Sequence, residues 1–103
     1  MPAALDNMLG GLRLEEIQSF VVLSEELHFA KAAKRLNISP GGLSRRISHL
    51  EHALGTTLLH RTTRTVRLSP PGQAFAPAAR QLLAHFVSLR DDTRRGGDSD
   101  TRG

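Results

Sequence analysis

The sequence predicts a mostly α-helical domain, a helix-turn-helix followed by a short β-hairpin and one long C-terminal helix. Three observations predict it. Phe29 to Leu50 reads as a short helix, a tight turn at Asn37-Ile38-Ser39-Pro40 and a longer helix, with apolar residues at Phe29, Ala32, Ala33 and Leu36 and then at Leu43, Ile47 and Leu50. Leu58 to Ser69 contains two short apolar runs, Leu58-Leu59 and Val66-x-Leu68, around a basic tip. Phe75, Ala79, Leu82, Phe86 and Leu89 recur with the alternating four- and three-residue spacing of a helix that meets another along its length.

Composition bounds what such a domain does. The chain has 103 residues, enough for one modest core. It has no cysteine, so it carries neither a disulfide framework nor a thiolate metal site, and this fits a cytoplasmic location. No apolar run reaches the roughly eighteen residues of a membrane span, and no basic-then-apolar secretory signal opens the chain, so no membrane partner is expected. The net charge is +4, but its distribution says more. Residues 1–30 carry one base and five acids; residues 31–67 carry eight bases and one acid. Positive charge gathered on one segment is the footprint of a surface facing a polyanion, although many basic faces are simply solvated.

Residues 1–11 show no sustained periodicity and end in two glycines, and are expected to be a flexible extension. The first helix is predicted from about Leu14 to Glu26, with Leu14, Ile17, Phe20, Val21 and Ser24 on one face, Val22 and Leu23 widening it, and Glu15 and Glu16 in the first turn, where carboxylates favour the helix dipole. It reads as a scaffold, acidic outside and apolar inside. The second helix, from Phe29 or Ala30 to Leu36, is too short to stand alone. Its Ala32 and Ala33 permit close helix approach, and Lys31, Lys34 and Arg35 occupy its other faces.

The third helix opens on Ser39, a good N-cap, with Pro40 at the first position, where no amide donor is needed, and Gly55 lies just past its end. At about 100° per residue, Leu43, Ile47, Leu50 and Leu54 form one stripe, and Gly41, Arg45, Ser48 and His52 project on the opposite side, with Ser44 at the edge. A face of small and polar residues with one Arg allows close approach to base edges, and Arg is able to take both acceptors of a guanine.

The hairpin, about 58–69, is a wing after the helix-turn-helix. Arg61, Arg64 and Arg67 place three charges in seven residues of it, where an Arg is able to reach phosphate or a narrow minor groove. The other reading is that Arg61 or Arg67 braces the hairpin through a local ion pair. Ser69 and Pro70 restart a helix that runs to Asp91 or Thr93. Its seam, Phe75, Ala79, Leu82, Phe86 and Leu89, exceeds what a small core needs and points to a homodimer. The alternative is that this whole face folds back on the first helix. Residues 93–103 are polar and glycine-rich and are expected to be a disordered tail.

The order of residues resembles the N-terminal DNA-binding domain of LysR-type transcriptional regulators, a winged helix-turn-helix. The resemblance covers about Leu12 to Leu89. It rests on Ala32-Ala33-x-x-Leu36-x-Ile38-Ser39, on Leu43-Ser44-Arg45, on Leu50-Glu51-x-x-Leu54-Gly55, and on Leu58-Leu59-x-Arg61-x-x-Arg64-x-Val66-x-Leu68-Ser69-x-x-Gly72. It implies a winged domain over residues 12–69, a dimerising linker helix over 70–92, and binding of double-stranded DNA at an interrupted palindrome in the bacterial nucleoid. It places base contacts at Ser39, Pro40, Gly41, Ser44 and Arg45, a minor-groove contact at Arg64 and a backbone contact near Lys31; Ser48 and Arg61 complete the expected DNA-binding set. The family has Gln-Pro-Ala, or something near it, where this chain has Pro40-Gly41-Gly42, a small hydroxyl residue at Ala30 and Gln at Arg46. The family's large effector-sensing domain is absent from this sequence, so no effector ligand is expected here.

Two rival readings stand beside this one. The Gly41-Gly42 helix start and the heptad helix also suit a protein-interaction module that keeps the fold without reading DNA. His49 and His52, three apart, suit a shared metal, but two ligands fall short of the three or four a protein site uses. No cofactor or metal is expected, nor, without a nucleophile–base–acid set or a phosphate loop, an enzyme.

Overall fold

The computed structural model describes the backbone of residues 10–102 and the side chains of residues 10–96. Its elements in order are α1 (Leu14–Glu26), α2 (Phe29–Leu36), α3 (Pro40–Leu54), β1 (Leu59–Arg61), β2 (Val66–Leu68) and α4 (Pro70–Arg102). Most of the expected N-terminal extension lies outside the described residues.

Helices α1, α2 and α3 enclose a core of Ile17, Phe20, Val21, Leu23, Ala32, Ala33, Leu43, Ile47 and Leu50, joined by Leu58 and Leu59 from the hairpin and by Ala76 and Ala79 from α4. Phe20, Leu23, Leu43, Ile47 and Leu50 are fully buried, each stabilising the fold by about 1.5–3 kcal/mol. Ala32 and Ala33, also buried, let the two-turn α2 sit close to its neighbours. Its ends are held locally. The His28 Nδ1 accepts from the Lys31 amide at 3.2 Å, and Asn37 ends the helix in a left-handed conformation at φ 58°. The connection from α2 to α3 is therefore three residues, Asn37 to Ser39.

The acidic-outside description of α1 needs correction. Glu15 is exposed, but Glu16 is buried at 5% relative exposure. It lies four residues before Phe20, so helical periodicity turns it inward.

The hairpin pairs Leu59 with Leu68, His60 with Arg67 and Arg61 with Val66, antiparallel. Glu51, the single acid of residues 31–67, seats it: its Oε2 accepts from the Leu58 amide at 2.7 Å and the Leu59 amide at 3.2 Å. Ser69 joins hairpin to helix. Its amide donates to the Leu58 carbonyl at 2.9 Å, and its Oγ accepts from the Gly72 amide at 3.1 Å.

Helix α4 divides into two parts. Near its start, Phe75 meets Phe20 with ring centroids 5.6 Å apart, and Ala76 and Ala79 are buried. Beyond them Leu82, Phe86, Val87 and Leu89 are 43–56% exposed. Ala79 thus lies in the core of the single chain and Phe75 packs against it, while the distal members of the expected seam are exposed. The helix also runs past the expected end at Asp91 or Thr93, and residues 93–102 are helical where a disordered tail was expected. Two interior glycines cost about 1 kcal/mol each relative to Ala. Local pairing offsets part of this: Thr93 donates to the Leu89 carbonyl at 2.8 Å, and Arg95 pairs with Asp92 one turn back.

Candidate nucleic-acid interface

Helix α3 presents one side to the core and the other to solvent. Leu43, Ile47 and Leu50 are buried, and Gly41, Arg45, Ser48 and His52 are exposed, the division that the helical period predicts. The first turn is prepared by the backbone. Ser39 Oγ accepts from the Gly42 amide at 3.0 Å, the Leu43 amide donates to the Ser39 carbonyl at 2.9 Å, and Pro40 has no amide hydrogen. The Gly41 N–H is therefore the free donor of that turn, at the positive end of the helix. No side chain shields it at either glycine. Arg45 reaches back over this turn: a Cβ placed on Gly41 would lie 4.0 Å from Arg45 Nη1, and one on Gly42 would lie 3.9 Å from its Nη2. An open amide and a guanidinium side by side suit an acceptor-rich anion.

The other cations divide into free and engaged. Arg45, Arg64 and Lys31 are exposed and have no acidic partner among the described residues. Arg64 is presented by a stiff tip, in which Thr62 Oγ1 accepts from the amides of Arg64 and Thr65 at 3.1 Å each and the Thr62 amide donates to the Thr65 carbonyl at 2.9 Å. Arg35 is held by Glu25 at 2.9 Å and Glu26 at 3.0 Å. Hydrogen bonds to these two carboxylates, Glu25 first, raise its pKa above the ordinary Arg value. The Glu25 carboxylate also faces Arg80 Nε at 3.6 Å.

Arg61 braces the wing, though by a different contact from the ion pair considered above. Its Cζ stands 4.9 Å over the Phe29 ring, and its Nη1 and Nη2 donate to Ser44 Oγ at 3.2 Å and Ser48 Oγ at 3.5 Å. One residue thus ties β1 to α2 and to the exposed side of α3, while both serine hydroxyls keep a hydrogen to donate outward. Arg46, at the position of the family's Gln, turns back instead. Its Nη1 donates to the buried Ser19 Oγ at 3.2 Å, and Ser19 donates to the Glu15 carbonyl at 2.7 Å.

Comparison with known proteins decides the family. The model of the "Bacterial regulatory helix-turn-helix protein, lysR family" matches residues 14–73, more than half of the chain. The chain belongs to the lysR family. Among its relatives, the HTH-type transcriptional regulator TtuA of Agrobacterium vitis is 41% identical over 83 residues, 81% of this chain and 27% of TtuA. AlsR of Bacillus subtilis (strain 168) is 41% identical over 88 residues, 82% of this chain and 29% of AlsR. The chain therefore spans less than a third of the length of either relative. Among solved structures, the BenM DNA-binding domain in complex with catB site 1 DNA superposes with a TM-score of 0.78 at 38% identity, covering 82% of this chain and 94% of that one. The CbnR DNA-binding domain in complex with DNA superposes at 0.79 and 31% identity, covering 84% and 99%.

In this lysR-family domain Gly41, Arg45 and Ser48 lie on the exposed side of α3 with Ser44 at its edge, Ser39 and Pro40 are exposed at the start of the helix, and Arg61 links Ser44 and Ser48 to the wing. Lys31 lies on α2, and Arg64 is at the far tip of the hairpin. Sequence reasoning did not find the polar layer between α1 and α3, Glu16, Ser19, Arg46 and His49. The signal was available, because Glu16 stands four residues before Phe20 and Ser19 four before Leu23. Among the described residues no group of three or more His, Cys, Asp or Glu is placed to hold a metal ion, and no helix is long and apolar enough to cross a membrane.

Proposed function

We propose that this domain binds double-stranded DNA sequence-specifically, as the DNA-binding part of a bacterial transcriptional regulator of the lysR family. It acts by binding rather than catalysis, on nucleoid DNA in the cytoplasm. Helix α3 enters the major groove with Arg45 reading a base and the Gly41 amide approaching the backbone. Arg64 at the wing tip reaches toward the minor groove, and Lys31 toward a phosphate. Two copies associate through the distal part of α4 and meet successive half-sites of an interrupted palindrome. The observation that carries this reading is the exposed side of α3, where Arg45 and an unshielded helix N-terminus stand together on the basic segment of the chain. The DNA-bound BenM and CbnR domains, which share this fold, support it.

A salt titration on a duplex selected from a random pool tests it. If about five phosphates per subunit are neutralised, log K falls against log salt with a slope of about −4 to −5 per subunit. Arg45→Ala weakens binding by about 1–3 kcal/mol and relaxes base preference at one position, whereas Arg64→Ala weakens binding and lowers the slope by about one. A flat salt dependence, or full affinity in the Arg45→Ala, Arg64→Ala double variant with dimerisation intact, favours the protein-interaction reading instead.

A further inference from the structure

The polar layer beneath α3 contains a buried acid that the proposed DNA contacts do not use. The Glu16 side chain is 7% exposed, and its Oε2 lies 2.8 Å from His49 Nδ1. Its Oε1 is buried with no hydrogen-bond partner among the described residues. A buried carboxylate with an unsatisfied oxygen is a costly choice where an apolar residue would pack. The pair has a definite polarity. A carboxylate only accepts, so the hydrogen lies on His49 Nδ1, and Nε2 is left for another partner. His49 is itself half exposed, at 49% of its side chain. Together with Ser39, Arg45 and Arg46 it lines an open hollow of about 810 Å³ on the flank of α3, and Glu16 is in its wall.

We propose that His49 is a further DNA-contacting residue, held by Glu16 so that its Nε2 meets a backbone phosphate beside the Arg45 contact. This rests on the DNA-binding reading above and adds a contact to it. With a proton on Nε2, the imidazolium stands between the Glu16 carboxylate and the phosphate and donates to both. Without it, Nε2 is an acceptor facing an acceptor. The contact is made by the imidazolium form, so DNA binding is coupled to uptake of one proton and is stronger at lower pH. The groups that face His49 are Glu16 from α1 and, across the hollow, Arg45 and Arg46 of its own helix; Ile38 and Ser39 of the preceding turn carry no charge.

Fluorescence anisotropy of the whole chain on its selected duplex, at pH 6 and pH 8 across a salt series, tests this. The wild type is expected to bind several-fold more tightly at pH 6, with a salt slope steeper by about 0.9 per subunit. His49→Ala loses about tenfold at pH 6, little at pH 8, and the added slope with it. His49→Gln retains a donor without the charge and keeps the pH 8 affinity while losing the gain at pH 6. Glu16→Gln reduces that gain, because its amide favours the imidazolium less than a carboxylate does. Thermal melts of each variant, together with the pH 8 affinity, separate loss of fold from loss of contact. If Arg45→Ala loses binding while His49→Ala keeps wild-type affinity, slope and pH dependence, the inference is overturned and the DNA-binding reading stands. If the wild type shows no salt-dependent binding, both are overturned.

Discussion

Gly72 is packed so closely beneath the hairpin that a Cβ at its position would run into the Leu58 carbonyl oxygen. That oxygen is already fixed by the Ser69 amide, and Ser69 Oγ in turn donates to the Thr57 carbonyl and accepts from the Gly72 amide. The joint between wing and α4 therefore tolerates no side chain, and the clash falls on backbone that has nowhere to move. Gly72→Ala is expected to destabilise the domain by about 2–3 kcal/mol, which lowers the melting temperature by roughly 10 °C or more for a chain of this size. Circular-dichroism melts check this, and a shift of only a degree or two would show that the joint is loose. Other single residues were less legible in the sequence. Arg61 reads as a wing cation, yet Phe29, Ser44 and Ser48 hold it. Charge and position in the chain identify the residue type at an interface, but its partner is set by which elements the fold brings within reach. Glu16 was hidden for a different reason: a carboxylate at a core spacing conflicts with the rule that acids face water, and the conflict itself was the signal.

At the scale of elements, α4 explains why a regular pattern is ambiguous. The heptad spacing continues without a break from Phe75 to Leu89, but α1, which covers its first part, has 13 residues, while α4 has 33. At 1.5 Å per residue these are about 20 Å and 50 Å long, so α1 is unable to cover the whole stripe. The fold-back alternative holds for the first part of the stripe, where Phe75 and Ala79 pack on the core, whereas Leu82, Phe86 and Leu89 are exposed within the single chain. Periodicity shows which residues share a face, whereas the relative lengths of the helices show where that face runs out of cover. Helix α3 was legible to the residue because its caps are local, Ser39 with Pro40 at its start and Gly55 at φ 73° past its end, whereas α1, which has no side-chain N-cap and ends on Leu27, was legible from its apolar periodicity. Leu82→Glu combined with Phe86→Glu is expected to convert the domain to a monomer with unchanged helix content, since both side chains are exposed within the single chain. Sedimentation velocity checks it, and a persistent dimer would place the interface elsewhere.

Over the whole molecule the charges are divided between tasks. Described acids are largely consumed internally: Glu51 holds β1, Glu16 holds His49, and Glu25 and Glu26 hold Arg35. Lys31, Lys34, Arg45, Arg64 and Arg67 are exposed without acidic partners among the described residues, and they come from α2, α3 and the hairpin. The small net charge of the chain thus understates the charge that α2, α3 and the hairpin present. If two such surfaces are joined through the distal part of α4, the second half-site is bound from an elevated local concentration, which raises affinity by about 10²–10⁴ over a single half-site. The gain depends on rotational phase as well as distance. Recognition helices separated by about one turn of DNA, roughly 10 base pairs, face the same side of the duplex. An insertion of about five base pairs turns the second half-site to the far side and is expected to remove the gain without altering either half-site. The Leu82→Glu, Phe86→Glu variant should bind single, spaced and misphased duplexes with equal affinity, and with about half the salt slope of the wild type on the paired site. Equilibrium titrations on the three duplexes distinguish the outcomes. If the double variant still prefers correctly spaced half-sites, a surface other than the α4 stripe joins the subunits; if the wild type shows no preference, the domain reads each half-site alone.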